Sequence, residues 1–136
     1  MDWAKRCSQL SHAQRLKVGA VIVKDDTVIS YGYNGMPAGW DNNCEYDVGN
    51  ELKTRPEVLH AETNAIAKLA RSPESGLGAT LFLTHSPCID CAKQIYTAGI
   101  DTIFFAKRYR SDDGLEFLKK CNIKVIEWNT WETSFY

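Results

Sequence analysis

Two short stretches of the chain carry side chains suited to metal chemistry. They are His60-Ala61-Glu62 and, further along, Pro87-Cys88-Ile89-Asp90-Cys91. One imidazole and two thiolates give a zinc ion three ligands and leave its fourth position open, which distinguishes a catalytic zinc site from a closed structural one. Glu62 lies two residues after His60, where its carboxyl can move protons beside the metal without binding it. We therefore predict that His60, Cys88 and Cys91 bind zinc and that Glu62 is catalytic.

The chemistry that this set favours is hydrolysis. Zinc lowers the pKa of a bound water from about 15.7 towards about 7, which makes hydroxide available at neutral pH. Glu62 would take the proton of this water, deliver it to a ring nitrogen and help to protonate a departing amine. The spacing H-x-E…P-C-x-x-C is the signature of zinc-dependent nucleobase deaminases.

A C-x-x-C pair also occurs as a redox dithiol and as half of a structural zinc site. The preceding segment Leu83-Thr84-His85-Ser86-Pro87 does not resemble the context of a thioredoxin-like dithiol. A structural zinc would need a fourth ligand, and the candidates are Cys44, His85 and His12. The flanking proline, the spacing and the predicted helix starts together favour the catalytic alternative.

Length and composition indicate one soluble globular domain. The chain has 136 residues, of which 44% are apolar and 24% charged. The net charge of −1 argues against an obligate nucleic-acid-binding protein, which is usually strongly basic. The apolar runs are too short to span a bilayer and the N-terminus lacks the apolar core of a signal peptide, so we expect a cytoplasmic protein without a membrane partner. Cys7, Cys44 and Cys121 are then most simply reduced thiols.

Periodicity and turn residues predict strands that alternate with helices. The predicted helices are 2–11, 57–71, 88–98 and 114–121, and the predicted strands are 18–24, 27–33, 79–84, 100–106 and 123–128. The segment 34–57 lacks periodicity and is predicted to be a long loop. The first two strands form a hairpin, and the later strand–helix–strand repeats imply parallel neighbours. This predicts an α/β fold of three layers, α/β/α, with a mixed five-stranded sheet.

Two of the predicted helices have specific faces. The first carries Trp3, Cys7 and Leu10 on one face, and the second begins after Pro56 with an inner side of Leu59, Ala61, Ala65, Ile66 and Leu69. His60 then lies near the start of the second helix and Cys88 at the start of the third. Helix N-termini favour thiolates because the helix dipole is positive there. We expect these two N-termini to converge beside the sheet.

The chain resembles the deoxycytidylate (dCMP) deaminases of the cytidine deaminase-like superfamily over about residues 18–125. The motifs that carry the resemblance are 18–23 (Val-Gly-Ala-Val-Ile-Val), 32–37 (Gly-Tyr-Asn-Gly-Met-Pro), 60–66 (His-Ala-Glu-Thr-Asn-Ala-Ile) and 85–93 (His-Ser-Pro-Cys-Ile-Asp-Cys-Ala-Lys). The short form is most similar to bacterial and phage members. The resemblance implies one deaminase domain over residues 1–136 that hydrolyses dCMP to dUMP and ammonia for dTMP synthesis, in the cytoplasm of a bacterium or of a phage-infected host.

The resemblance also implies roles for residues around the zinc site. Asn34 would hold the sugar 3′-hydroxyl, the Ala61 N–H and the Ser86 carbonyl would bind the O2 and N4 edges of cytosine, and His85 or Tyr109 would pack against the base. The phosphate requires cations near the mouth of the pocket, and the local candidates are Arg15, Lys17, Lys107, Arg108 and Arg110. An ordinary solvated charge is the alternative role of each of these side chains.

In the larger dCMP deaminases, dCTP activates and dTTP inhibits at a second nucleotide site near the Gly-Tyr-Asn-Gly element of a hexamer. Gly32, Tyr33, Gly35 and Met36 match that element. The resemblance therefore implies a homohexamer with dCTP and dTTP as effectors, and Mg²⁺ with a triphosphate effector. A tight strand-to-loop turn is the simpler explanation of the same glycines.

Three features lie outside the family pattern or the predicted core. Residues 11–17 lack both the Asp-Pro and the Thr-Cys versions found in relatives, which leaves the phosphate contacts open. A second, structural zinc of the kind that some relatives hold would have only Cys44 and His12 as ligands, since Cys7 suits a helix core, and we expect none. The aromatic C-terminus, 128–136, is expected either to pack onto the domain or a neighbouring subunit or to be a loose end.

Other functions use parts of the same motif. A deaminase of cytosine or adenine in nucleic acid would share the zinc ligands and Glu62, but it would need a basic stripe that this sequence lacks. Free cytidine or deoxycytidine, or a modified dCMP, is an alternative substrate. An inactive binding module stabilised by zinc would have no use for the acid at Glu62.

Overall fold

The computed structural model describes residues 1–128. They contain the helices α1 (Asp2–Ser8), α2 (Ala61–Leu69), α3 (Ile89–Thr97) and α4 (Asp113–Lys120). The strands are β1 (Gly19–Lys24), β2 (Thr27–Tyr33), β3 (Glu45–Val48), β4 (Glu51–Thr54), β5 (Thr80–His85), β6 (Thr102–Lys107) and β7 (Lys124–Glu127). The aromatic C-terminus that is expected to pack onto the domain or a neighbouring subunit, or to be a loose end, spans residues 128–136. Of these, all except Trp128 lie outside the described residues. None of the four described helices has the length and apolar character of a membrane span.

Five of the strands form one sheet in the order β2, β1, β5, β6 and β7. β1 pairs antiparallel with β2 and β5, whereas β5 and β6 and then β6 and β7 are parallel. The β1–β2 hairpin turns at Asp25 and Asp26, which both have positive φ (51° and 61°), as a two-residue turn of type I′ requires. The predicted mixed five-stranded sheet with an antiparallel edge is confirmed.

Two glycines show on which face of the sheet each neighbouring helix lies. A Cβ on Gly19 would meet the backbone of α1 at Ala4, and a Cβ on Gly32 would meet the backbone of α2 at Ala61. Gly32 is the cross-strand partner of Ala20, so Gly19 and Gly32 point to opposite faces. α1 therefore covers one face and α2 the other, which confirms the three layers.

The main core lies between the sheet and the helices α2, α3 and α4. Its buried side chains from the sheet are Ala20, Ile22, Leu81, Leu83, Ile103 and Phe105, and those from the helices are Ala61, Ala65, Ala92, Ile95, Leu115 and Leu118. Burial of a large apolar side chain contributes roughly 1.5–3 kcal/mol. On the other face Phe82 stacks on Phe104 with ring centroids 5.0 Å apart, and Trp128 packs edge-on against both rings. The core holds α2 and α3 at fixed positions on the sheet, and these are the helices that begin at the predicted zinc ligands.

The prediction of one long loop over residues 34–57 is wrong in part, because this segment contains the hairpin of β3 and β4. This hairpin pairs only within itself among the described strands, and all its residues except Glu45 are exposed. Short strands that are solvated on both faces have no alternating apolar pattern, so periodicity could not reveal them.

The predicted starts and faces of two helices also require correction. α2 begins at Ala61 rather than at residue 57, because Leu59 is extended and forms an antiparallel bridge with Gly35. In α1 the buried residue is Ala4, while Trp3 is 64% exposed. The backbone of α1 packs closely against Gly19, and of the predicted face Cys7 is half-buried whereas Trp3 and Leu10 are exposed.

Replacing Gly32 with alanine should lower the free energy of unfolding by about 1–3 kcal/mol. The added Cβ would stand 2.5 Å from the Ala61 carbonyl oxygen and 2.7 Å from the Ala65 nitrogen, and these backbone atoms cannot move without shifting α2. Urea denaturation measures the loss. Gly35→Ala is the control, because a Cβ at Gly35 meets nothing within 4 Å in the described structure. Equal losses in the two variants would contradict this packing role of Gly32.

Candidate active site

Two helix N-termini meet at the edge of the sheet, as the sequence predicts. His60 is the N-cap residue of α2 and Cys88 is the N-cap residue of α3, and both have extended backbones (φ −75°, ψ 154° and φ −71°, ψ 168°). Neither side chain forms a capping hydrogen bond in the described helices, so both are available to other partners. Cys91 follows in the first turn of α3 and is buried.

The three predicted zinc ligands lie within reach of one metal ion. His60 Nδ1 is 3.2 Å from Cys91 Sγ and 3.8 Å from Cys88 Sγ, and all three donor atoms lie within 4.8 Å of one another. A tetrahedral zinc with bonds of about 2.0–2.3 Å requires donor separations of about 3.5–3.8 Å. The donor set therefore fits zinc with small adjustments, and three protein ligands leave one position for a further group.

The charge distribution within this set also suits a cation. Hydrogen bonds from the Cys91 thiol and the His60 ring lower the pKa of Cys88 to about 3. The hydrogen bond from the Cys91 thiol to the Cys88 thiolate, together with burial, raises the pKa of Cys91, because this bond is lost when Cys91 ionises. A divalent cation would supply the charge that lets both thiols ionise, so metal binding releases a proton.

Glu62 is the second residue of α2 and is 5% exposed. Burial raises the pKa of its carboxyl above the ordinary value, although a hydrogen bond from its own N–H and the charge of His60 oppose this effect. A carboxyl whose proton affinity is increased in this way is a better proton acceptor than an ordinary glutamate, as an acid–base group requires.

His60, Cys88 and Glu62 line a cavity of about 340 Å³, which is within the usual size range of a site for a small ligand. All the residues predicted to bind substrate line it: Arg15, Asn34, Ala61, His85, Ser86, Tyr109 and Arg110. The other three candidate cations, Lys17, Lys107 and Arg108, are not among the described residues of its wall. Arg108 instead pairs with Asp112 and Glu127 at 3.0 and 3.1 Å.

The family model described as "Cytidine and deoxycytidylate deaminase zinc-binding region" matches residues 1–107. The chain belongs to this family. The matched part includes His60, Glu62, Cys88 and Cys91, whereas the cavity wall from Tyr109 to Gly114 lies beyond it.

Curated relatives of this deaminase-family chain come from bacteria, phages and eukaryotes. "ComE operon protein 2" of Bacillus subtilis is 39% identical over 105 residues, which are 74% of this chain and 53% of that protein. The deoxycytidylate deaminase of Enterobacteria phage T4 is 34% identical over 141 residues, with 75% of this chain and 72% of the phage protein covered. The corresponding enzyme of Mycobacterium phage D29 is 36% identical, with coverage of 76% and 88%.

A solved structure of the family matches nearly the whole chain. The dCMP deaminase of the cyanophage S-TIM5, in complex with dCMP and dUMP, superposes with a TM-score of 0.89 and 42% sequence identity. The match covers 93% of this chain and 92% of the cyanophage chain. The α/β/α fold predicted from the sequence is thus that of a deaminase.

Asn34 is fixed in the wall of the deaminase cavity by the segment before β1. Its Oδ1 accepts a hydrogen bond from the Val18 N–H at 2.9 Å, and its Nδ2 donates to the Leu16 carbonyl at 2.8 Å. A side-chain amide has two N–H bonds, so one of them remains for a ligand. Asn34 can therefore act towards a substrate as a donor.

Ser86 and Tyr109 hold the opposite wall together. The Tyr109 N–H donates to Ser86 Oγ at 2.8 Å, and the Ser86 N–H donates to the Lys107 carbonyl at 2.8 Å. These bonds attach the loop after β6 to the end of β5. The aromatic ring of Tyr109 is thereby placed beside the cavity, 6.2 Å from the His85 ring.

The cavity also includes Glu45, which the sequence analysis missed. Glu45 is 3% exposed, and its Oε2 accepts hydrogen bonds from the Gln14 and Arg15 N–H groups at 2.9 and 3.0 Å. This carboxyl orients the backbone that carries Arg15. A single acidic residue in an unpatterned segment gives no sequence signal of such a role.

Gly32, Gly35, Met36 and Cys44 have packing roles in the described structure. Gly32 lies under α2, Gly35 bridges to Leu59, and Met36 packs on Ala13, Cys44 and Val58. Cys44 is 1% exposed in this small apolar cluster. Among the described residues, the group that could bind a metal is His60, Cys88 and Cys91, and Cys44 is not part of it. This surrounding favours a structural thiol over a zinc ligand at Cys44.

Proposed function

We propose that this chain hydrolyses dCMP to dUMP and ammonia. The observation that carries the proposal is the convergence of His60, Cys88, Cys91 and the buried carboxyl of Glu62 at the end of one nucleotide-sized cavity. When bound there, zinc would act as a Lewis acid that makes water nucleophilic at neutral pH. The cyanophage relative of 42% identity, which was solved with dCMP and dUMP, supports this choice of substrate and product.

Glu62 carries the proton steps of the proposed reaction. It removes a proton from the attacking water and delivers it to N3 of the cytosine ring, which prepares C4 for addition. After the hydroxide has added to C4, Glu62 takes the remaining proton of the C4 hydroxyl and delivers it to the amino group. The C4–N4 bond then breaks, ammonia leaves and C4 becomes a carbonyl. Water and dCMP are thereby converted to dUMP and ammonia without any further reactant.

Backbone groups beside Glu62 would orient the base. Ala61 is the first residue of α2, and the N–H groups of a first helical turn have no partner within the helix. Its N–H would donate to O2 of cytosine, and the Ser86 carbonyl would accept from the N4 amino group. Both residues are buried in the cavity wall, so water would not compete for these bonds.

The sugar and the phosphate would extend from the base towards the polar end of the cavity. The free N–H of Asn34 would donate to the sugar 3′-oxygen. Arg15 and Arg110 are the phosphate ligands that we propose, because they are the predicted cations that line the cavity. Arg15 is oriented by a bond from Nη1 to Thr54 at 3.1 Å, and the Arg110 guanidinium lies 5.0 Å from the Tyr109 ring centre.

An ammonia-release assay across dCMP, CMP, deoxycytidine, dCTP and a cytosine-containing oligonucleotide tests this function. We expect kcat/KM to be at least about tenfold higher for dCMP than for deoxycytidine, because a phosphate–arginine contact is a strong charge-assisted bond. A preference for deoxycytidine would contradict the phosphate contacts. Turnover of the oligonucleotide would favour the nucleic-acid alternative.

Several finer features stay predictions from the sequence and from the resemblance. They are activation by dCTP, inhibition by dTTP, Mg²⁺ with an effector, the homohexamer, the supply of dTMP synthesis, the single-domain organisation and the cytoplasmic location. Adding dCTP or dTTP to the same assay tests the regulation. A sedimentation experiment with and without each nucleotide tests the hexamer.

A further inference from the structure

A series of hydrogen bonds runs from β1 through β5 to the wall of the cavity. The Gly19 N–H donates to Thr84 Oγ1 at 3.0 Å, and Thr84 Oγ1 lies 2.9 Å from His85 Nδ1. Thr84 is 5% exposed, so bulk water does not compete for its hydroxyl. These contacts determine which ring nitrogen of His85 carries the proton.

The Thr84 hydroxyl has a single hydrogen to donate. Its oxygen already accepts a bond from the Gly19 amide, which can only be a donor. Among the hydrogen bonds of residues 1–128, His85 Nδ1 is the one available acceptor for the Thr84 hydrogen. A buried hydroxyl without an acceptor is costly, so Thr84 donates to Nδ1 and His85 carries its proton on Nε2.

The Nε2–H group lies on the side of the ring away from Thr84. His85 lines the cavity, and no hydrogen bond of Nε2 occurs within the part of the chain that the structure describes. Burial and the neighbouring Lys107, which pairs with His85 between β5 and β6, lower the pKa of His85. His85 is therefore a neutral hydrogen-bond donor at the cavity wall.

A cation lies along the same wall. The His85 ring meets the Tyr109 ring edge-on at 6.2 Å, and the Arg110 guanidinium is 5.0 Å from the centre of the Tyr109 ring. A neutral donor and a cation thus flank one aromatic side chain. An anion with several oxygens, such as a phosphate, can accept hydrogen bonds from both.

We propose that Thr84 is a positioning residue that holds His85 as the neutral Nε2–H tautomer, and that this N–H donates to an oxygen of the 5′-phosphate of the substrate. The inference rests on the proposed function, because it requires a nucleotide substrate. It assigns His85 to the phosphate, whereas the resemblance placed His85 or Tyr109 against the base. Thr84 acts on the substrate only through His85.

The tautomer is tested on the zinc-loaded wild-type protein by long-range ¹H–¹⁵N NMR, which distinguishes the two neutral forms. The chain has three histidines, so the His85 ring can be assigned by comparison with His85→Ala. We expect Nε2–H in the wild type and in Thr84→Ser, and a mixture of tautomers in Thr84→Val. A wild-type ring protonated on Nδ1 would overturn the proposal, whether or not Thr84→Val folds.

The phosphate contact is tested by the kinetics of Thr84→Val on two substrates. We expect KM for dCMP to rise about tenfold, because the His85 ring loses its fixed orientation as well as its single tautomer, while kcat/KM for deoxycytidine stays within about twofold of the wild type. Thr84→Ser should retain wild-type KM, because it keeps the hydroxyl. Thr27→Val, the same change at an exposed position, is the matched control.

If Thr84→Val lowered kcat/KM for dCMP and for deoxycytidine by the same factor, the proposed phosphate contact would be overturned. His85→Ala gives a second measurement and should likewise raise KM for dCMP alone. If the wild type does not deaminate dCMP, the proposed function and the phosphate contact both fail, and the NMR experiment still decides the tautomer. The two failures are thus distinguishable.

Discussion

Glu62→Gln should lower kcat for dCMP by about 10²–10⁴-fold and leave zinc binding intact. Glutamine has nearly the same size as glutamate, but it cannot take a proton from water or return one to the leaving amine, and positioned acid–base groups contribute about this factor. Glu62 is 5% exposed, so solvent has little access to replace it. Ammonia release measures kcat, and elemental analysis should find about one zinc per chain in the variant.

The matched control for this change is Glu57→Gln, which alters an exposed carboxyl three residues before His60. Both variants should unfold at wild-type temperatures, and the control should keep wild-type kcat. Loss of zinc from Glu62→Gln would mean that Glu62 supports the metal rather than the proton steps. Full turnover in Glu62→Gln would also contradict its role as the acid–base group.

Cys91→Ala should remove the zinc and reduce turnover at least about 1000-fold. Three protein ligands would hold the metal, and the loss of one would leave His60 and the exposed Cys88 of the described donor group. The Lewis-acid contribution of zinc amounts to several kcal/mol, and each 1.36 kcal/mol is a factor of ten in rate. Zinc analysis and ammonia release measure the two effects. Zinc that binds only the folded state stabilises it, so added zinc should raise the unfolding temperature of the wild type and not that of the variant.

The matched control is Cys121→Ala, which removes a thiol that is not part of the donor group. Cys121 is partly buried and packs against the core. It should keep both zinc and activity. Retention of one zinc by Cys91→Ala would show that another side chain completes the site. Two zinc ions per wild-type chain would instead support the second site that Cys44 and His12 could form.

The fold could be predicted wherever one face of an element is buried in the core. The β1–β2 hairpin and the run from β5 to β7 carry regular apolar patterns, and their positions in the chain, the hairpin and the parallel pairing of β5, β6 and β7 match the prediction. The strand order in the sheet and the antiparallel pairing of β1 with β5 came only from the structure. The β3–β4 hairpin could not be predicted, because nearly all of its residues are exposed and no buried face imposes a regular apolar pattern on its sequence. α2 was predicted to begin too early because residues 57–60 have apolar spacing that continues the helical pattern, although Leu59 is held extended by Gly35.

The sequence by itself was enough to predict the chemistry of the site. The side-chain types of His60, Glu62, Cys88 and Cys91 and their spacing select zinc and proton transfer, since few other sets of donors suit that metal and that reaction. These properties belong to the residues themselves.

Only the tertiary structure decided which residues surround this chemistry. Arg15 and Arg110 line the cavity while Arg108 pairs with Asp112 and Glu127, yet all three are ordinary arginines in the sequence. The bond between Gly19 and Thr84, which orients His85, joins positions 65 residues apart. Such contacts depend on how strands and helices pack, and local propensity and periodicity contain no information about them.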